Sequence, residues 1–88
     1  MIVNPNFEIT EIADEFIAVP VGSEIVAFNG IVALSEPAAY LLKQMKEPRS
    51  LEELVVLITE EYDVDKYTAE KDVKDIVEKL LEMGLVLN

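Results

Sequence analysis

The chain has 88 residues, 51% of them hydrophobic, and a formal net charge of −11. It contains no His, Cys or Trp, so it lacks the side chains most often used as a neutral-pH base, a thiolate nucleophile or a soft metal ligand. An acidic surface repels DNA, RNA and anionic membranes, because their phosphates are held by Lys and Arg. The composition therefore favours a binding protein over an enzyme and predicts no cofactor and no metal.

The length fits one small domain, residues 1–88. Without cysteine the chain has neither a disulfide framework nor a thiolate zinc site. The first residues lack the positive start and apolar stretch of a secretory signal. No apolar run approaches the roughly 20 residues that span a bilayer. We therefore predict a single cytoplasmic domain.

Residues 7–34 are predicted to be extended. Residues 7–10 alternate apolar and polar side chains, as a half-buried strand does. Residues 16–19 are rich in aromatic and branched side chains, which predicts a second strand. Ala13-Asp14 lies between them and predicts a tight turn. Pro20 has no N–H to donate, which suits the end or the edge of a strand.

The next strand is predicted around a second turn signal. Asn29-Gly30 separates two short apolar runs, residues 25–28 and 31–34. Both turn residues tolerate a positive φ, which is typical of a type I′ hairpin. The run at 25–28 is compatible with a strand or with a loop, whereas 31–34 is the favoured strand.

Three helices are predicted after residue 34, at about 36–46, 51–62 and 66–83. Ser35, followed by an early carboxylate and a proline, indicates the first N-terminus. A capping box at residues 50–53 opens the second helix. Either Asp65 or Thr68 caps the third, and Gly84 suits the position just after its end.

The sequence disfavours a calcium loop, a phosphopantetheine carrier and a carboxylate catalytic pair, because each requires residues or spacings that are absent. A calcium loop beginning at Asp63 would place Thr68 where glycine is needed and Lys74 where a bidentate glutamate is needed. A phosphopantetheine carrier would present Asp-Ser-Leu at a helix start in an all-helical domain, whereas here Arg49 precedes Ser50. Neighbouring glutamates on a helix diverge by about 100° and do not converge on one substrate atom.

The predicted fold class is α+β and winged helix-turn-helix-like, with three N-terminal antiparallel strands followed by three helices. Such scaffolds either lay a helix in the DNA major groove or pair a strand edge with a peptide. Carboxylates outnumber lysines in residues 65–83, which disfavours DNA. A winged-helix DNA-binding regulator is therefore the second hypothesis, beside a structural interaction subunit of an enzyme complex.

Four segments, residues 30–36, 48–54, 69–73 and 84–86, together resemble the PqqD family, named for pyrroloquinoline quinone biosynthesis. Its domain is also called the RiPP recognition element, where RiPP denotes a ribosomally made, post-translationally modified peptide. The resemblance covers about residues 7–87 and depends on the order and spacing of these segments. It implies a non-catalytic peptide chaperone that presents the leader segment of a precursor peptide to a modifying enzyme, often a radical-SAM enzyme.

The resemblance also implies where the leader binds. The leader is expected to add as a strand to the edge of the 31–34 strand and to lie against the third helix. The residues expected to bind peptide are therefore Ile31, Val32, Ala33, Leu34, Lys71, Asp72, Val73, Lys74, Asp75, Ile76 and Lys79.

Each part of this site has a plainer alternative. The strand at 31–34 is apolar on both faces, which also fits a central strand buried on both sides. Val73 and Ile76 recur at helical spacing and fit an ordinary core. The three lysines also fit a solvated face, paired with Glu70 and Asp75.

Overall fold

A computed structural model describes residues 1–21 and 31–88 of the chain. In this described part the strands are β1 (Ile2–Val3), β2 (Phe7–Ile12), β3 (Glu15–Pro20), β4 (Val32–Leu34) and β5 (Val86–Leu87), and the helices are α1 (Glu36–Gln44), α2 (Leu51–Tyr62) and α3 (Lys66–Glu82). The predicted turn at Asn29-Gly30 and the run at 25–28 lie outside the described residues.

Strands β2, β3 and β4 form an antiparallel sheet in that order. A two-residue turn joins β2 to β3, and both its residues, Ala13 and Asp14, have positive φ, 51° and 67°. This is the backbone of a type I′ turn, whose twist matches the twist of the flanking strands. The turn sets Ile12 opposite Glu15 and thereby fixes the register of the whole hairpin.

Each helix begins at a side chain that accepts a hydrogen bond from an otherwise unpaired backbone N–H. Ser35 Oγ accepts from the N–H of Ala38 at 3.2 Å. Ser50 and Glu53 form the predicted reciprocal capping box. At α3 the cap is Asp65, whose Oδ1 accepts from Thr68 N–H at 2.8 Å; this bond holds the pKa of Asp65 below its usual range.

The core lies between the sheet and the helices and is built from one stripe of each helix. Among the described residues its largest fully buried side chains are Leu41, Leu42, Met45, Leu54, Leu80, Leu85, Val73 and Val86. Val32 and Leu34 of β4 pack against this cluster as half-buried side chains. No helix in the described ranges is both long and apolar enough to cross a membrane.

A second sheet, which the sequence analysis did not predict, joins the two ends of the described chain. β1 and β5 pair antiparallel, with Ile2 opposite Leu87. Helix α3 ends in a Schellman motif at Gly84, which has φ +77°; Leu85 N–H donates to Leu80 O at 2.9 Å and Gly84 N–H to Leu81 O at 3.1 Å. This reversal buries Leu85 and aligns β5 with β1.

Asn4 links β1 to the end of α3. Its Nδ2 donates to the carbonyl of Gly84 at 2.9 Å, and its backbone N–H donates to the carbonyl of Leu85 at 2.8 Å. Its Oδ1 accepts from the backbone N–H of Asn6 at 3.0 Å, which turns the chain toward β2. One side chain thus bonds a nearby backbone N–H and a carbonyl that lies 80 positions from Asn4 in sequence.

Replacing Asn4 with alanine is expected to lower the free energy of unfolding by about 1–3 kcal/mol, because two backbone groups lose a hydrogen-bond partner. Urea denaturation followed by circular dichroism measures the change. Asn6→Ala is the matched control, since only the backbone N–H of Asn6 takes part in this network, and its effect should stay within about 0.5 kcal/mol. Equal effects of the two substitutions would contradict the role of the Asn4 side chain.

Candidate functional site

The outer side of β4 is an open sheet edge within residues 1–21 and 31–88. There β4 pairs with β3 alone, so the described sheet ends at β4. Within the described residues β4 is therefore an edge strand, and Ala33 is exposed. An unpaired edge presents backbone N–H and C=O groups to solvent and is a template for another extended chain.

The register shows which backbone groups of β4 face outward. In an antiparallel sheet, successive residues direct their N–H and C=O groups to opposite neighbours. The two-residue turn makes Ile12 and Glu15 a hydrogen-bonded pair. Every second residue pair along β2 and β3 is then hydrogen-bonded, and the bond from Val21 N–H to Asn6 O at 2.7 Å agrees with this order. Phe16 and Ala18 therefore direct their backbone groups toward β4.

Phe16 lies opposite Leu34, and Ala18 lies opposite Val32. Val32 and Leu34 consequently bond inward to β3, and Ala33 directs its N–H and C=O toward the open side. The predicted strand began at Ile31, but β4 begins at Val32, and the Ile31 side chain is 61% exposed. The main-chain groups available to a partner at this edge are therefore those of Ala33.

A cleft of about 320 Å³ lies between α2, α3 and the start of α1. Pro37 places it close to the C-terminal end of β4, because only Ser35 and Glu36 separate Leu34 from Pro37. Its volume is at the lower end of the roughly 300–1,000 Å³ range of ligand pockets. The lining residues are Pro37, Ile58, Tyr62, Val64, Asp72, Val73, Asp75 and Ile76.

Two tyrosines form one wall of this region. Tyr62 lines the cleft, and its ring meets the ring of Tyr40 edge to face, with centroids 5.8 Å apart. The Tyr62 hydroxyl donates a long hydrogen bond, 3.4 Å, to Glu36 Oε1. Burial, followed by the charge and hydrogen bond of Glu36, raises the pKa of Tyr62 above its usual value. The phenol therefore stays protonated at neutral pH and can donate this solvent-exposed hydrogen bond to Glu36.

The structure brings some of the predicted site residues together and separates others. Asp72, Val73, Asp75 and Ile76 line the cleft. Val73 is fully buried, as the core alternative required, whereas Ile76 is only partly buried. The side chains of Val32 and Leu34 lie on the core side of β4, and Ala33 is exposed.

The three lysines do not form a common group. Lys74 lines a different depression, between α2 and the start of α3, together with Val56. Lys71 and Lys79 are exposed, and Lys79 follows Asp75 by one turn. Within the described ranges none of the three lies within 4 Å of a carboxylate, and Glu70 pairs instead with Lys66 at 3.9 Å. The expected pairing with Glu70 and Asp75 is therefore not seen.

Half of the residues that line the cleft were not predicted from the sequence. These residues lie on α1, on α2 and in the junction between α2 and α3, and only the packing of α1 against α2 and α3 makes them neighbours. They are Pro37, Ile58, Tyr62 and Val64. Val64 carried the one local signal, an apolar side chain between Asp63 and Asp65 in a polar helix junction.

No group of three or more carboxylates in the described residues is arranged to hold a metal ion.

Comparison with known proteins decides the family. The family model for coenzyme PQQ synthesis protein D (PqqD) matches residues 15–86. The chain belongs to the PqqD family. PqqD-family domains bind peptides and are non-catalytic, which confirms the prediction that the chain is not an enzyme. No functionally curated protein matches the sequence.

Two solved structures share the PqqD-like fold. TbiB1, in complex with the TbiA(beta) leader peptide, is 24% identical, with a TM-score of 0.74 over 97% of this chain and 93% of that one. Lasso peptide synthetase B1, complexed with the leader peptide, is 21% identical, with a TM-score of 0.73 over 98% and 95%. These likenesses confirm the predicted α+β fold of N-terminal antiparallel strands followed by helices.

The alternation along β4 predicts a pattern of amide hydrogen exchange. In the free chain the N–H of Ala33 should exchange at least about tenfold faster than those of Val32 and Leu34, because only the latter two bond to β3. NMR after transfer to D₂O measures the three rates. Equal protection of Ala33 and its neighbours would contradict the assigned register.

Proposed function

We propose that this PqqD-family chain binds the leader segment of a ribosomally synthesised precursor peptide by strand addition and presents it to a modifying enzyme. The observation that carries this proposal is the edge of β4, which no other strand of the described chain covers, beside an apolar cleft on α3. The chain itself supplies no catalytic group in this scheme. Chemistry on the peptide belongs to the partner.

The first contact in the proposal is made by the backbone. An extended leader alongside β4 exchanges hydrogen bonds with the N–H and C=O of Ala33. Such bonds do not depend on the side chains of the leader, so they align the peptide without selecting its sequence. Each contributes only about 0.5–1.5 kcal/mol net.

The second contact is made by side chains. A leader that leaves the end of β4 near Leu34 passes Pro37 and the cleft on α3. Because side chains alternate along a strand, every second leader residue faces the domain. An apolar residue at such a position buries its surface against Ile58 and Ile76. We propose that Asp72, Val73, Asp75 and Ile76 contact the leader, with Lys79 beside them and with Lys71 and Lys74 outside the binding path.

Both structural relatives support this assignment, since each is described in complex with a leader peptide. Binding near the micromolar range, roughly −8 kcal/mol, would suit such a small contact surface. Part of the leader becomes ordered only on binding, and this ordering subtracts from the affinity that the apolar contacts provide.

The partner enzyme and the compartment are finer parts of the proposal. The family resemblance favours a radical-SAM enzyme acting in the cytoplasm, whereas the likeness to lasso peptide synthetase B1 favours a lasso peptide pathway. The genes beside this one distinguish the two. A short peptide gene next to a radical-SAM gene supports the first, and one next to lasso synthesis genes supports the second.

Replacing Ala33 with proline tests strand addition directly. Proline has no N–H but is tolerated on edge strands, so the domain should still fold while binding of the neighbouring gene's leader peptide weakens roughly 5- to 30-fold. The estimate combines one lost hydrogen bond with steric crowding of the added strand. Fluorescence anisotropy of a labelled leader peptide measures the affinity, and circular dichroism verifies the fold.

Ala33→Val is the matched control, because it changes the side chain at the same position and keeps the outward N–H. Its affinity should stay within about threefold of the unsubstituted chain. Unchanged binding by Ala33→Pro would exclude pairing at this edge. Val32→Pro is not a suitable test, because the N–H of Val32 faces β3 and its loss would damage the sheet.

A further inference from the structure

The cleft on α3 combines an apolar floor with a negatively charged rim. Ile58, Val73 and Ile76 form the apolar part, and Asp72 and Asp75 stand on the exposed face of α3 at its margin. Glu36 precedes the lining residue Pro37, and its carboxylate accepts a long hydrogen bond, 3.4 Å, from the hydroxyl of Tyr62, which lines the cleft. Two carboxylates thus line one apolar depression, and a third lies next to it in sequence.

These carboxylates are not neutralised by neighbours within residues 1–21 and 31–88. The ion pairs found there involve Arg49 with Glu47 and Glu53, and Lys66 with Glu70. Lys71 and Lys74 directly precede Asp72 and Asp75 in sequence, and Lys79 follows one turn later, but no described ion pair joins these lysines to the two aspartates and none of them lines the cleft. Among the described residues, Asp72 and Asp75 are therefore the charged side chains in the cleft lining, and both are negative.

We propose that the cleft selects extended peptides that carry an apolar anchor residue with a Lys or Arg side chain close to it. The apolar residue enters between Ile58 and Ile76, and the cation reaches Asp72 or Asp75. This inference rests on the proposed function and adds the chemical class of its peptide ligand.

Charge complementarity gives this preference a physical basis. A basic side chain gains favourable interactions with the rim, whereas a Glu or Asp in the same place meets like charges that oppose docking. The long apolar stem of Lys or Arg also packs along the cleft wall while its charged end stays at the rim. A neutral peptide keeps the apolar contact but loses this discrimination.

A paired set of variants separates the rim from the overall charge. Asp72→Asn with Asp75→Asn removes two charges at the cleft. Glu52→Gln with Glu78→Gln removes two exposed charges elsewhere on α2 and α3, and neither residue lines the cleft. Both double variants change the net charge equally, and circular dichroism verifies that both fold.

The probes are synthetic peptides obtained by selecting random displayed 15-residue sequences on the unsubstituted chain. We expect an excess of Lys or Arg within two or three residues of an apolar position. A selected basic peptide should bind the Asp72/Asp75 variant about three- to tenfold more weakly than the unsubstituted chain, the size expected for one cation near two solvent-exposed carboxylates. It should bind the Glu52/Glu78 variant within twofold.

A version of the peptide with Gln in place of its basic residue completes a double-mutant cycle. It should bind the unsubstituted chain and the Asp72/Asp75 variant equally. Selected peptides without excess basic residues, or equal binding of the basic peptide by both double variants, would overturn the inference. In either case the selected peptides are also measured against Ala33→Pro. If they bind this variant more weakly than the unsubstituted chain, strand addition stands; if they bind both equally, the proposed function fails as well.

Discussion

The two-residue turn at Ala13-Asp14 is the constraint that decides which backbone groups face the open edge of β4. It fixes which residues of β3 bond to β2, and the alternation of the backbone then assigns the remaining groups of β3 to β4. The same alternation carries across β4 and leaves the N–H and C=O of Ala33 facing outward. Shifting the register by one residue would turn these groups inward and move Val32 and Leu34 off the core.

The helices depend on a second, independent set of constraints. Capping side chains begin α1, α2 and α3, and the Schellman motif at Gly84 ends α3 and returns the chain to β1. Because Leu85 and Val86 are buried beneath this return, the position of α3 is tied to both sheets. The cleft is consequently a fixed feature of the packed helices, which reduces the ordering that the domain itself must undergo on binding.

Local patterns predicted most of the architecture. The capping box at Ser50 and the turn at Ala13-Asp14 are decided by residues close in sequence, and both are found in the structure. The β1–β5 sheet was not predicted, because two-residue strands carry no periodicity and their pairing joins opposite ends of the chain. Only the α3 side of the cleft was predicted. Pro37 and Tyr62 lie far from α3 in sequence, and tertiary packing alone brings them to it. The role of the three lysines in peptide binding stays a prediction; Lys74 lines another depression, which sequence spacing alone could not indicate.

The brevity of β4 limits how much the backbone can contribute to recognition. Its three residues offer one outward-facing N–H and one outward-facing C=O, both of Ala33. Under the proposed function, most discrimination therefore comes from a few side chains at the cleft. Sequence outside those few anchor positions is then free to drift during evolution. A short tag that keeps the anchors would suffice to direct an unrelated cargo peptide to this domain, which makes the recognition step portable between substrates.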